Sequence, residues 1–167
     1  MEWSLMNFHQ ERMKNINDII DDLWRQIYRG NDIDTIKIIA DNIDGGSGGE
    51  KRRTYNYRVV QVRKDVELEL RGRCSAGQKV LACLIIRMAL AETFSSNCGV
   101  LALDEPTTNL DEKNIESLSY VLTQIVTKRM QQKNFQLILI THDNNFLNML
   151  TRLDEINHYY EVKRNEL

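Results

Sequence analysis

Two carboxylates stand side by side at Asp104 and Glu105, behind the apolar run Val100 to Leu103 and ahead of Pro106. Neighbouring acids at the end of such a run can divide two tasks, one holding a divalent cation and the other polarising an attacking water. Upstream, Gly72-Arg73-Cys74-Ser75-Ala76-Gly77-Gln78-Lys79 joins a strand-like stretch to an apolar helix. Small residues there let the backbone approach an anion closely. A helix N-terminus also directs unpaired N–H groups and partial positive charge at that anion. Downstream, His142 directly follows the apolar run Phe135 to Thr141. Each feature also has a plainer reading: solvated acids at a strand end, a ligand-free glycine turn, a polar cap.

The elements that must position these groups form an α/β pattern. Val100 to Leu103 and Phe135 to Thr141 read as strands buried on both faces, as in parallel sheets flanked by helices. Asp104 and Glu105 then lie at a strand's carboxyl end, where open α/β sheets place ligands. Pro106, with no N–H to donate, ends the ladder. Ala76 to Phe94 is strongly apolar, the mark of a helix buried on most sides. A second helix is predicted from about Glu112 to Gln131, with Ile115, Leu118, Leu122, Ile125 and Val126 inward and Asp111 as N-cap. A short helix around Asn145 to Leu150 and a strand near His158 to Val162 complete the chain.

The N-terminal part has a different texture. Apolar residues at positions 13, 16, 20, 23 and 27 make a seam with 3-4 spacing, which fits either a coiled coil or an amphipathic surface helix. Ile19 and Trp24 widen the stripe, so the end near Gly30 is expected to pack on a globular body as well. Gly30 and Asn31 supply the stop signal. The stripe Met13, Ile16, Ile20 and Leu23 is expected to pair with a helix outside this chain, since it would otherwise face water. Thr35 to Ala40, Thr54 to Val62 and Val66 to Leu70 read as an antiparallel meander, with Lys64-Asp65 as a tight turn. Residues 41 to 53 form a flexible loop by composition, with Gly45-Gly46-Ser47-Gly48-Gly49 linker-like. Lys51-Arg52-Arg53, with Arg58 and Arg63, is either a solvated flank, the commoner fate, or a phosphate-contacting patch.

At 167 residues the chain is one domain's worth and can hold a real core. It is 42% hydrophobic and 28% charged, with a formal net charge of -2, so no global basic field advertises nucleic acid. Cys74, Cys83 and Cys98 form no CxxC pair and suit free thiols in a reducing compartment. No run is long enough to span a membrane, and no signal peptide is evident. An intracellular protein is expected.

The Val100 to Glu105 segment matches the Walker B pattern of nucleotide hydrolases, and Thr107 to Asp111 resembles the D-loop of ABC-type ATPases. Gly72 to Lys79 is not a P-loop. Gln78 separates Gly77 from Lys79, and Val80 stands where a Mg²⁺-binding hydroxyl belongs. Ser75-Ala76-Gly77-Gln78-Lys79 is instead similar to the ABC signature motif, with Ala76 as its departure. The order signature, Walker B, D-loop, His-switch is highly specific in combination. The runs RGRCSAGQKVLACLIIRMALAETF, LALDEPTTNLDEKNIESL and FQLILITHD resemble the C-terminal ATPase half of the Rad fifty family, in its eukaryotic branch. These are SMC-like ATPases of the DNA double-strand-break repair complex with the Mre nuclease. The resemblance is strong from about Thr54 to Lys163, moderate from Met13 to Ala40, and fails in the Gly-rich loop.

That resemblance implies the C-terminal lobe of an ABC-type head with a P-loop NTPase-like fold. Residues 1–30 would be a coiled-coil root helix and 31–167 the ATPase lobe. The chain shows no Walker A segment, Q-loop or CxxC zinc hook, so it is expected to be half of a head, unable by itself to bind ATP tightly or hydrolyse it. By similarity Asp104 coordinates Mg²⁺, Glu105 activates water and His142 senses the γ-phosphate. Ser75, Ala76, Gly77 and Gln78 would grip ATP held by the opposite head. Asp111 would serve the D-loop across the dimer, and Arg87 would help relay nucleotide state to the coil. The implied partners are the N-terminal half of the same ATPase, a second head, a nuclease subunit at the coiled-coil root, and DNA, with no membrane and a nuclear location. Two other readings stay open: a docking lobe with a vestigial nucleotide site, and a metal-dependent nuclease built on Asp104, Glu105 and His142. The nuclease reading lacks the further clustered acids of a two-metal site.

Overall fold

In the computed structural model, residues 2–43, 54–94, 100–130, 135–151 and 159–162 are described. Helix α1, Glu2–Ile27, leads into an antiparallel meander of β1 (Thr35–Ile43), β2 (Thr54–Arg63) and β3 (Val66–Glu69). Helix α2 follows at Ala76–Phe94. Then β4 (Val100–Asp104), α3 (Glu112–Met130), β5 (Gln136–Ile140) and α4 (Asn144–Thr151) build a βαβα unit whose two strands are parallel.

The 3-4 spacing of α1 buries Ile16, Ile20, Leu23, Trp24 and Ile27 in one core with Leu81, Ile85 and Met88 of α2 and Leu118 and Leu122 of α3. Met13 packs partly against the same cluster. The stripe therefore does not require an outside helix: its residues are covered by the chain's own body. Polar bonds fix the docking. Asn17 donates from Nδ2 to the Ile38 carbonyl at 2.9 Å and accepts from the Ile38 N–H at 2.8 Å. Trp24 Nε1 donates to the Ile33 carbonyl at 3.3 Å. The helix also begins earlier than periodicity implied, at Glu2.

The meander forms as expected. Lys64 and Asp65 both take positive φ, 46° and 64°, the backbone of a two-residue hairpin turn whose twist matches the strands. β1 extends to Ile43, so the first residues of the expected loop are strand. The rest of that loop, with Gly45 to Gly49 and Lys51 to Arg53, lies outside the described residues. Arg58 is paired with Asp41 at 2.6 Å on the meander's surface.

Two expectations fail. Residues 159–162 form no strand, and Tyr160 and Val162 are exposed, while His158 lies outside the described residues. β4 and β5 are covered on one face only. Leu101, Leu103, Leu137 and Leu139 turn inward to α2 and α3, whereas Val100, Ile138 and Ile140 on the other face are 53%, 42% and 57% exposed. Among the described residues there is one helical layer against this two-stranded sheet, and continuous apolar sequence cannot say how many layers are present.

Candidate functional site

Strand register brings the chemistry-bearing residues together. Asp104 and Ile140 are partners at the carboxyl end of the parallel pair, and the Glu105 N–H continues the ladder to the Ile140 carbonyl at 2.9 Å. Glu105 then turns out of the sheet with φ 45°, a conformation uncommon for a side chain with a Cβ and concentrated at functional sites. Two residues past Ile140, His142 places Nδ1 2.7 Å from Glu105 Oε2. That oxygen is sealed from solvent, and its contact with Nδ1 is an ion pair when the imidazole is protonated. Glu105 raises the His142 pKa, first by its hydrogen-bonding contact and then by its charge. Asp143 caps α4 through Oδ1, accepting from Asn145 N and Phe146 N at 3.0 and 3.1 Å, which holds the His142 backbone in place.

Asp104 is exposed at the strand end. Among the described residues no three His, Cys, Asp or Glu side chains gather to hold a metal ion. A hard cation bound with a nucleotide takes most of its ligands from water and phosphate, so one carboxylate at this position fits Mg²⁺ without a protein cage.

The glycine turn is a capping box. Ser75 Oγ accepts from Gln78 N at 3.2 Å, and Gln78 Oε1 accepts from Ser75 N at 2.9 Å. The Ser-x-x-Gln spacing carries this signal in sequence, and the reading above missed it. With its oxygen accepting from the backbone, the Ser75 hydroxyl keeps its proton to donate outward. Ala76 and Gly77 open α2 with N–H groups in its first turn, where no intrahelical partner exists.

Gly77 has a second reason to be glycine. A Cβ there would collide with the Asn109 carbonyl oxygen. Asn109 itself has φ 61°, inside the turn formed by Thr108 N to Glu105 O and Leu110 N to Thr107 O. The Thr107–Asp111 turn therefore lies directly on the Ser75–Gln78 turn. Asp111 starts α3, its carbonyl accepting from Ile115 N at 3.0 Å and its Oδ1 from the Asn114 side chain. Arg87 stands apart, donating from Nη2 to the Ala102 carbonyl at 3.1 Å.

Comparison with known proteins bears on the fold and the family. Residues 4–148 match a family model described as "AAA domain, putative AbiEii toxin, Type IV TA system". The chain is 58% identical over 166 residues to the DNA repair protein RAD50 of Drosophila melanogaster and 55% identical over 166 residues to that of Saccharomyces cerevisiae. In each case 99% of this chain and 12% of the relative are covered. It thus spans about an eighth of the length of those relatives. Among solved structures, the Smc head domain with coiled coil and joint from Pyrococcus yayanosii superposes with a TM-score of 0.63 at 15% identity, over 89% of this chain and 25% of that one. By the family match the chain belongs to the AAA domain family; in sequence it resembles RAD50, and in fold the heads of SMC ATPases.

Proposed function

We propose that this chain is the C-terminal half of an ATP-hydrolysing head that dimerises on ATP and couples nucleotide state to DNA double-strand-break repair. The observation that carries the proposal is the Glu105–His142 pair at 2.7 Å, set beside Asp104 at the end of a sheet whose other face is open. An N-terminal half carrying the Walker A loop would cover that face and complete the sheet. At roughly 1 kcal/mol for each half-exposed aliphatic side chain, Val100, Ile138 and Ile140 together would favour docking by a few kcal/mol.

In the completed site Asp104 holds Mg²⁺, which when bound with ATP neutralises charge building on the phosphates. The Glu105 carboxylate, beside Asp104 at the strand end, accepts a proton from the attacking water. His142, fixed in place by Glu105, donates towards a γ-phosphate oxygen. Ser75, with the Ala76 and Gly77 N–H groups, faces the nucleotide of a second head, and Asp111 lies on the same contact surface. DNA, a nuclease subunit at the root of α1 and a nuclear location belong to this reading, supported by the repair proteins the chain resembles.

The test is Glu105→Gln in the head completed with its N-terminal half. Binding and ATP-dependent dimerisation are expected to persist while turnover falls by roughly 10²–10⁴-fold, the usual cost of losing a general base. Turnover close to the parent's would remove Glu105 from that role, and a completed parent head that did not hydrolyse ATP would favour a docking lobe with a vestigial site.

A further inference from the structure

The C-terminal end of α1 reaches both turns of the proposed dimer face. Tyr28 folds back over Gly30, where a Cβ would collide with its hydroxyl, and its ring packs against Trp24 at 4.6 Å between centroids. From there the Tyr28 hydroxyl donates to Asp32 Oδ1. Gln78 Nε2 donates to both Tyr28 Oη and Asp32 Oδ2, each at 2.8 Å. The same amide's oxygen is the one that accepts from Ser75 N. One residue after Tyr28, Arg29 N donates to Asn114 Oδ1 at 2.9 Å and Arg29 Nε to Ser117 Oγ at 2.7 Å. Asn114 in turn holds Asp111.

The Gln78 side chain thus makes three hydrogen bonds inside its own chain, which leaves it little capacity to reach a phosphate. A long side chain tied at three points has a fixed rotamer, and its oxygen then fixes the Ser75 backbone. We propose that Tyr28 and Asp32 are positioning residues acting through Gln78 to hold Ser75 for the nucleotide of the opposite head. Gln78 then serves as a strut and not as a ligand. This rests on the composite-site reading under Proposed function, and it deepens that reading by tying the dimer face to the end of the root helix. The pair's charge state suits the role. Burial first, and then the bond to Asp32, push the Tyr28 pKa up to about 12, while the Tyr28 hydroxyl chiefly lowers that of Asp32. The donor stays protonated and the acceptor ionised across the working range.

The experiment uses heads completed with the N-terminal half. Asp32→Asn sets an amide donor against the Gln78 donor, and Gln78→Glu sets a carboxylate against Asp32. Each is expected to lower turnover roughly tenfold or more, as small misplacements in a reacting site do, with ATP affinity of the single head unchanged. The double variant Asp32→Asn/Gln78→Glu exchanges the two ends of the bond and is expected to recover most of the loss. Mixed with Glu105→Gln heads, the Asp32→Asn head should regain activity, because both lesions then fall on one composite site and the other site is intact. A general folding defect would damage both sites and gain nothing from mixing. Should Asp32→Asn fail to fold, Tyr28→Phe, which removes one of the anchors, carries the same mixing test.

Ser75→Arg mixed with Glu105→Gln is the control. If the control is rescued but the Asp32 and Tyr28 variants are not, or if the double variant is no better than the singles, the positioning role is overturned. If the control itself gives no activity while ATP still dimerises the mixture, the composite-site reading fails and this inference with it.

Discussion

The apolar stripe of α1 and the outer face of the β4–β5 pair are both rows of aliphatic residues, but the molecule treats them in opposite ways. Ile20 and Ile27 are completely buried among α2 and α3, whereas Ile138 and Ile140 stand about half in water. The helix is also held by polar bonds from Asn17 and Trp24 to the chain around β1. Among the described residues the sheet face has no such cover. A two-stranded parallel sheet is rarely stable with one side bare, because parallel sheets normally have both faces covered. Under the proposed function the other half docks at the sheet, beside Asp104 and Glu105, so the contacts that cover this face would also complete the site.

Substitutions can break this contrast. Ile20→Ala is expected to cost about 2–5 kcal/mol of stability, the range for emptying a packed core position. Ile140→Ala, on the open face, is expected to stay within about 0.5 kcal/mol of the parent. Denaturant titration of the two variants compares them directly. Equal losses would mean that the outer face is already covered in solution. For Ile140→Asp the expected effect is on assembly: weaker association with the N-terminal half, read by calorimetry, with the chain's own unfolding midpoint little changed. Association as tight as the parent's would place the docking surface elsewhere.

Gly77→Ala probes the seam between the two turns. The new Cβ would press on the Asn109 carbonyl, a backbone atom that cannot swing away, and a cost of about 1–3 kcal/mol is expected, as for overpacking elsewhere. Unchanged stability would show that the turns separate freely. The smallest effect concerns pH. The pKa of His142 is raised in the folded chain, so the favourable contact with Glu105 is fully present below the ordinary imidazole pKa. It is lost as pH rises through the raised value. An NMR titration is expected to show His142 titrating above an ordinary histidine and moving back towards it in Glu105→Gln. A titration indifferent to Glu105 would remove the ion pair.

Much of this could be read from spacing. The helices at Ala76–Phe94 and Glu112–Met130, the hairpin turn at Lys64-Asp65 and both parallel strands follow from local period and turn chemistry. Asp104, Glu105, Ser75 and His142 stand out as candidates because motifs in a fixed order need only the chain itself. The β4–β5 region was misjudged because an unbroken apolar run reports that a strand is apolar on both sides, not that both sides are covered here. The α1 seam had the reverse problem. Two heptads look the same whether they meet another helix or their own core, and only the packing of Ile16 to Ile27 against α2 and α3 decides.

By itself, then, the sequence marked the candidate residues for chemistry and the elements that hold them, since both depend on neighbours along the chain. Tertiary structure alone decided how those residues meet. Glu105 and His142 form a pair because parallel register aligns two strand ends. Gly77 is needed because a turn more than thirty residues away rests on it. Tyr28 and Asp32 reach Gln78 across 50 and 46 residues of chain through hydrogen bonds with no local signature. Contacts of that kind depend on the simultaneous position of several elements, and no periodicity or motif in one segment encodes them.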